Sequence, residues 1–114
     1  MEPKLKMNRR EMNGISILEV QGEIDANTAP DLLKEVEPMI APSGKILLDL
    51  SGVTFMSSAG LRTMVVIYRQ VAGNKGKIGL TGLSEDVEDT MAATGFLRFF
   101  SVFETAEAAM EGLK

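Results

Sequence analysis

Hydrophobic and polar residues alternate at the start of the chain with the period of a β-strand. Residues 5–10 alternate in this way, and residues 15–20 are rich in residues that favour strands. Asn13-Gly14, which lies between these two segments, is a strong signal for a tight hairpin turn. The pattern therefore predicts that the fold opens with a β-hairpin.

A helical period follows the predicted hairpin. Asn27, Thr28 and Pro30 mark a helix start, because proline is favoured in the first helical turn. Pro38 predicts that this helix kinks or ends near Glu37, since an internal proline removes a hydrogen bond and clashes with the preceding turn. The apolar stripe of the helix comprises Leu32, Leu33, Val36, Met39 and Ile40.

The rest of the chain is organised around residues 45–68. Residues 46–50 are almost all apolar, which is typical of a parallel strand that is covered on both faces. Ser51-Gly52 predicts a turn after this strand. Helical spacing of apolar residues then resumes after Ser57 and Ser58. The segment is therefore predicted to form a strand, a loop and a helix with two serines at its entrance.

The remaining residues continue to alternate between strand and helix signals. They predict a strand over residues 77–81, a helix capped by Ser84, a strand over residues 101–103 and a helix capped by Thr105. A dense apolar cluster lies before the last predicted strand. We assign most of it to the core and leave open that part forms an exposed partner-binding patch. It comprises Phe96, Leu97, Phe99 and Phe100.

The order of predicted elements is β-β-α-β-α-β-α-β-α. An opening hairpin followed by alternating units predicts an α/β fold with a mixed sheet, right-handed crossovers and about four packed helices. The 114 residues suit one domain, which we place over residues 1–114.

Cysteine and histidine are absent from the sequence. Their absence excludes disulfides, thiolate metal sites, cysteine nucleophiles and a Ser-His-Asp triad. The sequence also lacks a glycine-rich phosphate loop and a carboxylate cluster of the EF-hand type. We therefore expect no enzymatic activity, no cofactor and no metal site.

The formal net charge of −4 argues against direct binding of nucleic acid, which draws on a basic patch. No apolar stretch is long enough to span a bilayer, and residues 1–10 lack the apolar core of a signal peptide. These features predict a cytoplasmic protein without membrane insertion. The one basic cluster is interpreted as the solvated face of an edge strand and comprises Lys4, Lys6, Arg9 and Arg10.

Ser57 and Ser58 lie where a helix N-terminus attracts anions, because its first N–H groups are unpaired and carry the positive end of the helix dipole. A serine there can cap the helix, and it can equally hold a phosphoryl group. The residues alone leave both interpretations open. Asp25 is likewise a candidate cap for the helix that follows it, or an acidic group near the working face.

Three motifs resemble those of STAS domains, and in particular the small stand-alone anti-sigma-factor antagonists of bacteria. The similarity covers essentially the whole chain, and the third motif is the most specific. The resemblance implies a regulatory protein that binds an anti-sigma factor. The motifs are Gly22-Glu23-Ile24-Asp25, Leu48-Asp49-Leu50-Ser51-Gly52-Val53 and Phe55-Met56-Ser57-Ser58-Ala59-Gly60-Leu61.

The resemblance also implies a phosphorylation switch. In that family the serine two positions before the motif glycine is phosphorylated by an anti-sigma factor that is also a serine kinase, and a serine phosphatase reverses the modification. That position is Ser58 here. The unmodified form binds the kinase and frees the sigma factor, whereas the phosphorylated form does not.

Two positions depart from the family pattern. Ser57 stands where many members have aspartate, which makes it a second candidate acceptor, and Ala59 stands where others have serine or threonine. The resemblance implies a partner-binding surface that comprises Asp25, Ser57, Ser58, Ala59, Gly60 and Leu61.

Two other functions stay open. The first is a STAS assembly module of a larger signalling or lipid-transport complex, in which Ser58 only caps the helix. The second is a small nucleotide- or lipid-binding carrier, because anion sites at helix termini also suit ligand phosphates. We expect a monomer, since a small switch has to present one face to its partner.

Overall fold

A computed structural model describes residues 5–113. Its five strands are β1 Leu5–Met12, β2 Ile15–Ile24, β3 Lys45–Met56, β4 Lys77–Thr81 and β5 Ser101–Phe103. They form one sheet in the order β1-β2-β3-β4-β5. The β1–β2 pair is antiparallel and the other three pairs are parallel. The predicted mixed sheet with an opening hairpin is therefore confirmed.

The four helices are α1 Ala29–Val36, α2 Ser58–Gly73, α3 Glu85–Ala93 and α4 Ala106–Gly112. One core lies between the sheet and α1, α2 and α3. A smaller core lies on the other face, where Ala109 and Leu113 of the C-terminal segment meet Ile15, Ile17 and Leu47. The prediction of about four packed helices is confirmed, and none of the helices within residues 5–113 is long and apolar enough to cross a membrane.

Local turn chemistry agrees with the predicted boundaries. Asn13 and Gly14 both have positive φ, 54° and 79°, as a tight hairpin turn requires. α1 ends at Val36, and residues Glu37–Met39 form a 3₁₀ turn that contains Pro38. The α-helix therefore stops where the proline was predicted to end it.

The predicted turn at Ser51-Gly52 is wrong, because β3 continues to Met56. The segment pairs with β2 throughout, but β3 has one extra residue at each of two register shifts, which makes them β-bulges. At the first bulge the Asp49 carboxylate accepts hydrogen bonds from the backbone N–H and the hydroxyl of Ser51, at 3.0 and 2.7 Å. A local hydrogen-bonding pattern that is typical of turns here lies inside a strand.

β1 is an edge strand with a polar outer face, as predicted. Asn8 donates a hydrogen bond from Nδ2 to Oε1 of Glu19 at 3.2 Å, and Arg10 Nε lies 3.7 Å from Glu19 Oε2. Lys6 and Arg9 are exposed, and Lys4 lies outside the described residues. Lys6 and Arg10 therefore share a solvated face of β1 with Asn8, and Arg10 is paired there with a neighbouring glutamate.

The aromatic segment before β5 is less buried than predicted. Only Phe100 is buried, whereas Phe96, Leu97 and Phe99 are half-buried against the core. Residues Leu97–Phe99 form a 3₁₀ turn. With three residues per turn, successive side chains point in different directions, so they cannot all face the core. The assignment of most of this cluster to the core is therefore wrong, and the alternative of a partly exposed patch describes it better.

Candidate functional site

The N-terminus of α2 is capped by Ser57. Its side-chain oxygen accepts a hydrogen bond from the backbone N–H of Gly60 at 3.3 Å. Its own backbone N–H donates to the carbonyl oxygen of Ile24 at 2.9 Å. Ser57 therefore ties the start of the helix to the end of β2, and its hydroxyl is already used within the fold.

Ser58 is the first residue of α2 and is exposed. Its hydroxyl makes no hydrogen bond to any atom of residues 5–113. The interpretation in which Ser58 caps the helix is therefore wrong, because the adjacent serine has that position. The Ser58 hydroxyl points from the first helical turn into solvent without a structural partner, as an accessible acceptor requires.

Gly60 allows the helix to approach β2 closely. A Cβ atom at position 60 would lie 2.6 Å from the carbonyl oxygen of Ile24 and 2.9 Å from its Cγ2. Leu61, the next residue, is 4% exposed and belongs to the core, whereas Ala59 is half-buried. Of the candidate residues in this motif, Gly60 and Leu61 hold the helix start in place, while Ser58 reaches the surface.

Asp25 caps the turn that leads into α1. One carboxylate oxygen accepts from the backbone N–H groups of Asn27 and Thr28, at 2.9 and 3.1 Å. The Thr28 hydroxyl accepts from the Asp25 N–H at 2.9 Å and donates to the Glu23 carbonyl at 2.7 Å. Asp25 therefore caps the turn before α1 and not the helix itself, whose N-cap residue is Thr28, so the predicted helix cap is wrong in position.

The two candidate motifs meet at Ile24. Asp25 follows this residue directly, while Ser57 bonds to its carbonyl and Gly60 packs against it. Asp25 also lines an open cavity of about 350 Å³ together with Gly22, Glu23 and Thr28. The fold therefore brings together residues that are more than 30 positions apart in the sequence, at the carboxyl ends of β2 and β3, where partners commonly meet α/β sheets.

The first turn of α2 contains no acidic side chain. The first turn of α3, in contrast, contains Glu85, Asp86 and Glu88, which compensate the positive end of its dipole. The partial positive charge at the start of α2 is not balanced by its own side chains. A negative group on Ser58 would therefore lie in a locally favourable field.

Phe55 is an exposed aromatic residue beside the serines that sequence reasoning missed. It is 50% exposed, whereas Val53 and Met56, its partners in the apolar motif, are 1% and 3% exposed. The second bulge of β3 separates Val53 from Phe55 and places Phe55 opposite the exposed Glu23. Strand alternation alone would bury Phe55 with Val53, so the single sequence carries no signal for its exposure.

Comparison with known proteins places these features in a family. The sequence-family model of the STAS domain matches residues 6–109 of the chain. The chain is 29% identical over 113 residues to the anti-sigma-B factor antagonist of Listeria monocytogenes, covering 98% of this chain and 97% of that protein.

Two solved structures share the fold. The crystal structure of an anti-sigma factor antagonist from Mycobacterium paratuberculosis has a TM-score of 0.84 at 26% identity, covering 96% of this chain and 93% of the other. The phosphorylated form of the Bacillus cell fate determinant SpoIIAA has a TM-score of 0.71 at 15% identity, covering 96% of this chain and all of the other. Because the STAS family model matches residues 6–109, which is most of the chain, the chain belongs to the STAS domain family.

Proposed function

We propose that the chain is an anti-sigma factor antagonist whose binding is switched by phosphorylation of Ser58. The observation that carries this proposal is that the two adjacent serines have different structural roles. Ser57 caps α2, while Ser58 presents an exposed hydroxyl without a partner among residues 5–113. The antagonist names of the relative from Listeria and of the mycobacterial structure support the same function.

In the unmodified state the partner is an anti-sigma factor, which releases its sigma factor when the antagonist binds. The contact surface is centred on Ser58 and includes Phe55, three residues earlier in the chain, whose half-exposed ring supplies an apolar anchor. Aromatic anchors contribute disproportionately to interface energies when a partner desolvates them. Asp25 and Ser57 shape the neighbouring surface through their capping bonds.

Phosphorylation reverses this association. The anti-sigma factor acts as a serine kinase and transfers the γ-phosphoryl group of ATP to the Ser58 oxygen, releasing the hydroxyl proton and ADP. A serine phosphatase later hydrolyses the phosphoserine and restores the hydroxyl. The chain itself supplies the acceptor and catalyses neither step.

The switch acts at the interface and leaves the fold intact. A phosphoserine carries about −1.5 to −2 charges at pH 7, and the dipole of α2 stabilises negative charge at this position. The same dianion is costly when a partner surface shaped for a neutral hydroxyl desolvates it beside the Phe55 ring. A penalty of several kcal/mol, as expected for an uncompensated buried charge, reverses a micromolar association.

Ser58 is the preferred acceptor, and Ser57 is the second candidate. The Ser57 hydroxyl oxygen already accepts the Gly60 N–H, and the residue is half-buried. Phosphorylation there has to displace a helix cap, whereas phosphorylation of Ser58 displaces nothing. In the alternative of an assembly module, Ser58 would have no capping role either, because Ser57 is the cap.

The test uses a tagged form of the chain to capture its partner from the native cells. The purified complex of the two proteins is then incubated with ATP. The proposal predicts that wild-type protein acquires one phosphate on Ser58 and then dissociates. The Ser58→Ala variant should acquire none and stay bound. Equal affinity of the phosphorylated and unmodified forms would contradict the proposal. We also expect the protein to be cytoplasmic and, when unbound, monomeric. Sedimentation measures the oligomeric state directly.

A further inference from the structure

A shallow apolar groove lies between the outer face of α2 and the aromatic segment before β5. Its volume is about 390 Å³, and its walls are formed by Arg62, Val65, Val66, Arg69, Phe96 and Phe99. Val66 is 38% exposed and is one of four large apolar residues within residues 5–113 that are more than a third exposed. An apolar patch flanked by charged residues is typical of a protein docking site.

The rim of the groove is basic although the chain as a whole is acidic. Arg62 and Arg69 are the only charged residues of α2, and both are exposed. The Arg98 guanidinium lies 5.5 Å from the centre of the Phe99 ring, so a third cation stands beside the groove. No carboxylate of residues 5–113 pairs with any of these three arginines. In a chain of net charge −4, this local surplus favours an acidic occupant.

The groove is continuous with the Ser58 surface. Ser58, Arg62, Val66 and Arg69 follow one another at spacings of four, four and three residues and therefore share one face of α2. At about 1.5 Å per residue, Arg69 lies roughly 16 Å along the helix from Ser58. A partner segment of about three helical turns that begins at Ser58 would cover the whole stripe.

We propose that this groove docks an acidic amphipathic helix of the same partner that contacts Ser58, an inference that rests on the proposed function. Apolar anchors of that helix would fill the space between Val66 and Phe99, and its carboxylates would face Arg62 and Arg69. Helix-in-groove recognition uses this combination of apolar anchors and flanking charges.

A second copy of the chain fits the groove less well. Its most acidic helix is α3, but the large apolar residues of that helix, Val87 and Met91, are 2% and 0% exposed. α3 therefore offers carboxylates without anchors. A helix from another protein that presents both apolar anchors and carboxylates on one face fits the groove better.

Site-specific photocrosslinking in native cells tests the proposal. A photoreactive phenylalanine analogue replaces Val66 in the groove, Phe55 beside Ser58, or Met12, which is 40% exposed near the hairpin turn and serves as the matched control. We expect the probes at positions 66 and 55 to label the same protein, with the position-66 crosslink on an acidic helix, and the control to leave that protein unlabelled. Thermal melting of each variant confirms that it is folded.

The other outcomes separate the two proposals. Labelling from position 55 alone overturns the groove proposal and leaves the proposed function standing. Labelling from position 66 of a second copy, or an adduct with the mass of a lipid, also overturns it. If neither position labels a protein, both proposals fail.

A binding measurement with the crosslinked helix as a synthetic peptide gives the energetic test. The double charge reversal Arg62→Glu and Arg69→Glu should weaken binding roughly tenfold or more and flatten its salt dependence, because rim charges act through screened attraction. The matched reversal of the exposed Lys34 and Lys75 should change the affinity less than about twofold. Equal effects of the two double variants would refute the groove assignment.

Discussion

Gly60 lies directly against the carbonyl of Ile24, so that a Cβ atom at position 60 would stand 2.6 Å from the Ile24 oxygen. This oxygen also accepts the Ser57 N–H, so a shift at Gly60 disturbs the cap as well. We expect Gly60→Ala to lower the free energy of unfolding by about 1–3 kcal/mol, because the overlap outweighs the gain in helix propensity. Urea denaturation measures this difference.

Gly73→Ala is the matched control for that variant. Gly73 is the last residue of α2, and a Cβ atom there would meet nothing within 4 Å. Alanine at this position should leave the stability unchanged or raise it by up to about 1 kcal/mol, since it restricts the unfolded chain and favours the helix. Equal destabilisation by the two substitutions would show that contact with Ile24 is not the cause.

The two adjacent serines should differ in their contribution to stability. Ser57→Ala removes the hydrogen bond from the Gly60 N–H and should cost about 0.5–2 kcal/mol. Ser58→Ala removes an exposed hydroxyl and should change stability by less than about 0.5 kcal/mol. The reverse order in urea denaturation would identify Ser58 as the cap and remove the basis for its assignment as the free acceptor.

A negative charge at Ser58 should leave the fold intact and abolish partner binding. Ser58→Glu places a carboxylate in the uncompensated first turn of α2, where it should stabilise the protein by about 0.3–1 kcal/mol at low salt. The same variant should bind the purified anti-sigma factor at least tenfold more weakly than Ser58→Ala. Calorimetric melting and titration measure the two effects. Loss of folding in Ser58→Glu would show that the switch is structural.

The exposed ring of Phe55 should matter more for binding than for folding. Phe55→Ala should weaken partner binding roughly tenfold or more, as expected for an aromatic anchor, and change stability by no more than about 1 kcal/mol because the ring is 50% exposed. Met12→Ala is the control, since Met12 is 40% exposed and lies opposite Ile15, at the end of β2 remote from the serines. Similar losses of affinity in both variants would argue against a local contact at Phe55.

Much of the fold could be predicted from the sequence, because its elements are set by local signals that agree with one another. Asn13-Gly14 forms the predicted turn, Pro38 ends the predicted helix, and Ser84 and Thr105 cap α3 and α4 through their side chains. The resemblance to STAS domains added the family, which the match over residues 6–109 confirms.

The sequence was misleading where tertiary pairing overrides a local signal. Asp49 and Ser51 make turn-like hydrogen bonds, but pairing with β2 holds this part of the chain in a bulged strand. The same pairing exposes Phe55, which neither alternation nor composition indicates. The burial of the aromatic segment was overestimated because the side chains of its 3₁₀ turn point in different directions and cannot all face the core.

The site could be predicted only in part for a related reason. Two consecutive serines before a helical period indicate a capped N-terminus, but propensity does not say which serine is the cap. That choice depends on where β3 ends, and so on the bulges that extend it to Met56. The contact of Ser57 with Ile24 then sets the first residue of α2 at Ser58.

The most direct test of the account is intact mass measurement with phosphosite mapping of the protein from its native cells, beside its Ser58→Ala variant. The account predicts a single phosphate on Ser58 under some growth conditions and none in the variant. A phosphate that persists in the variant would move the switch to another residue, with Ser57 the next to test. No phosphate under any condition would contradict the phosphorylation switch and favour a STAS domain that serves as an assembly module.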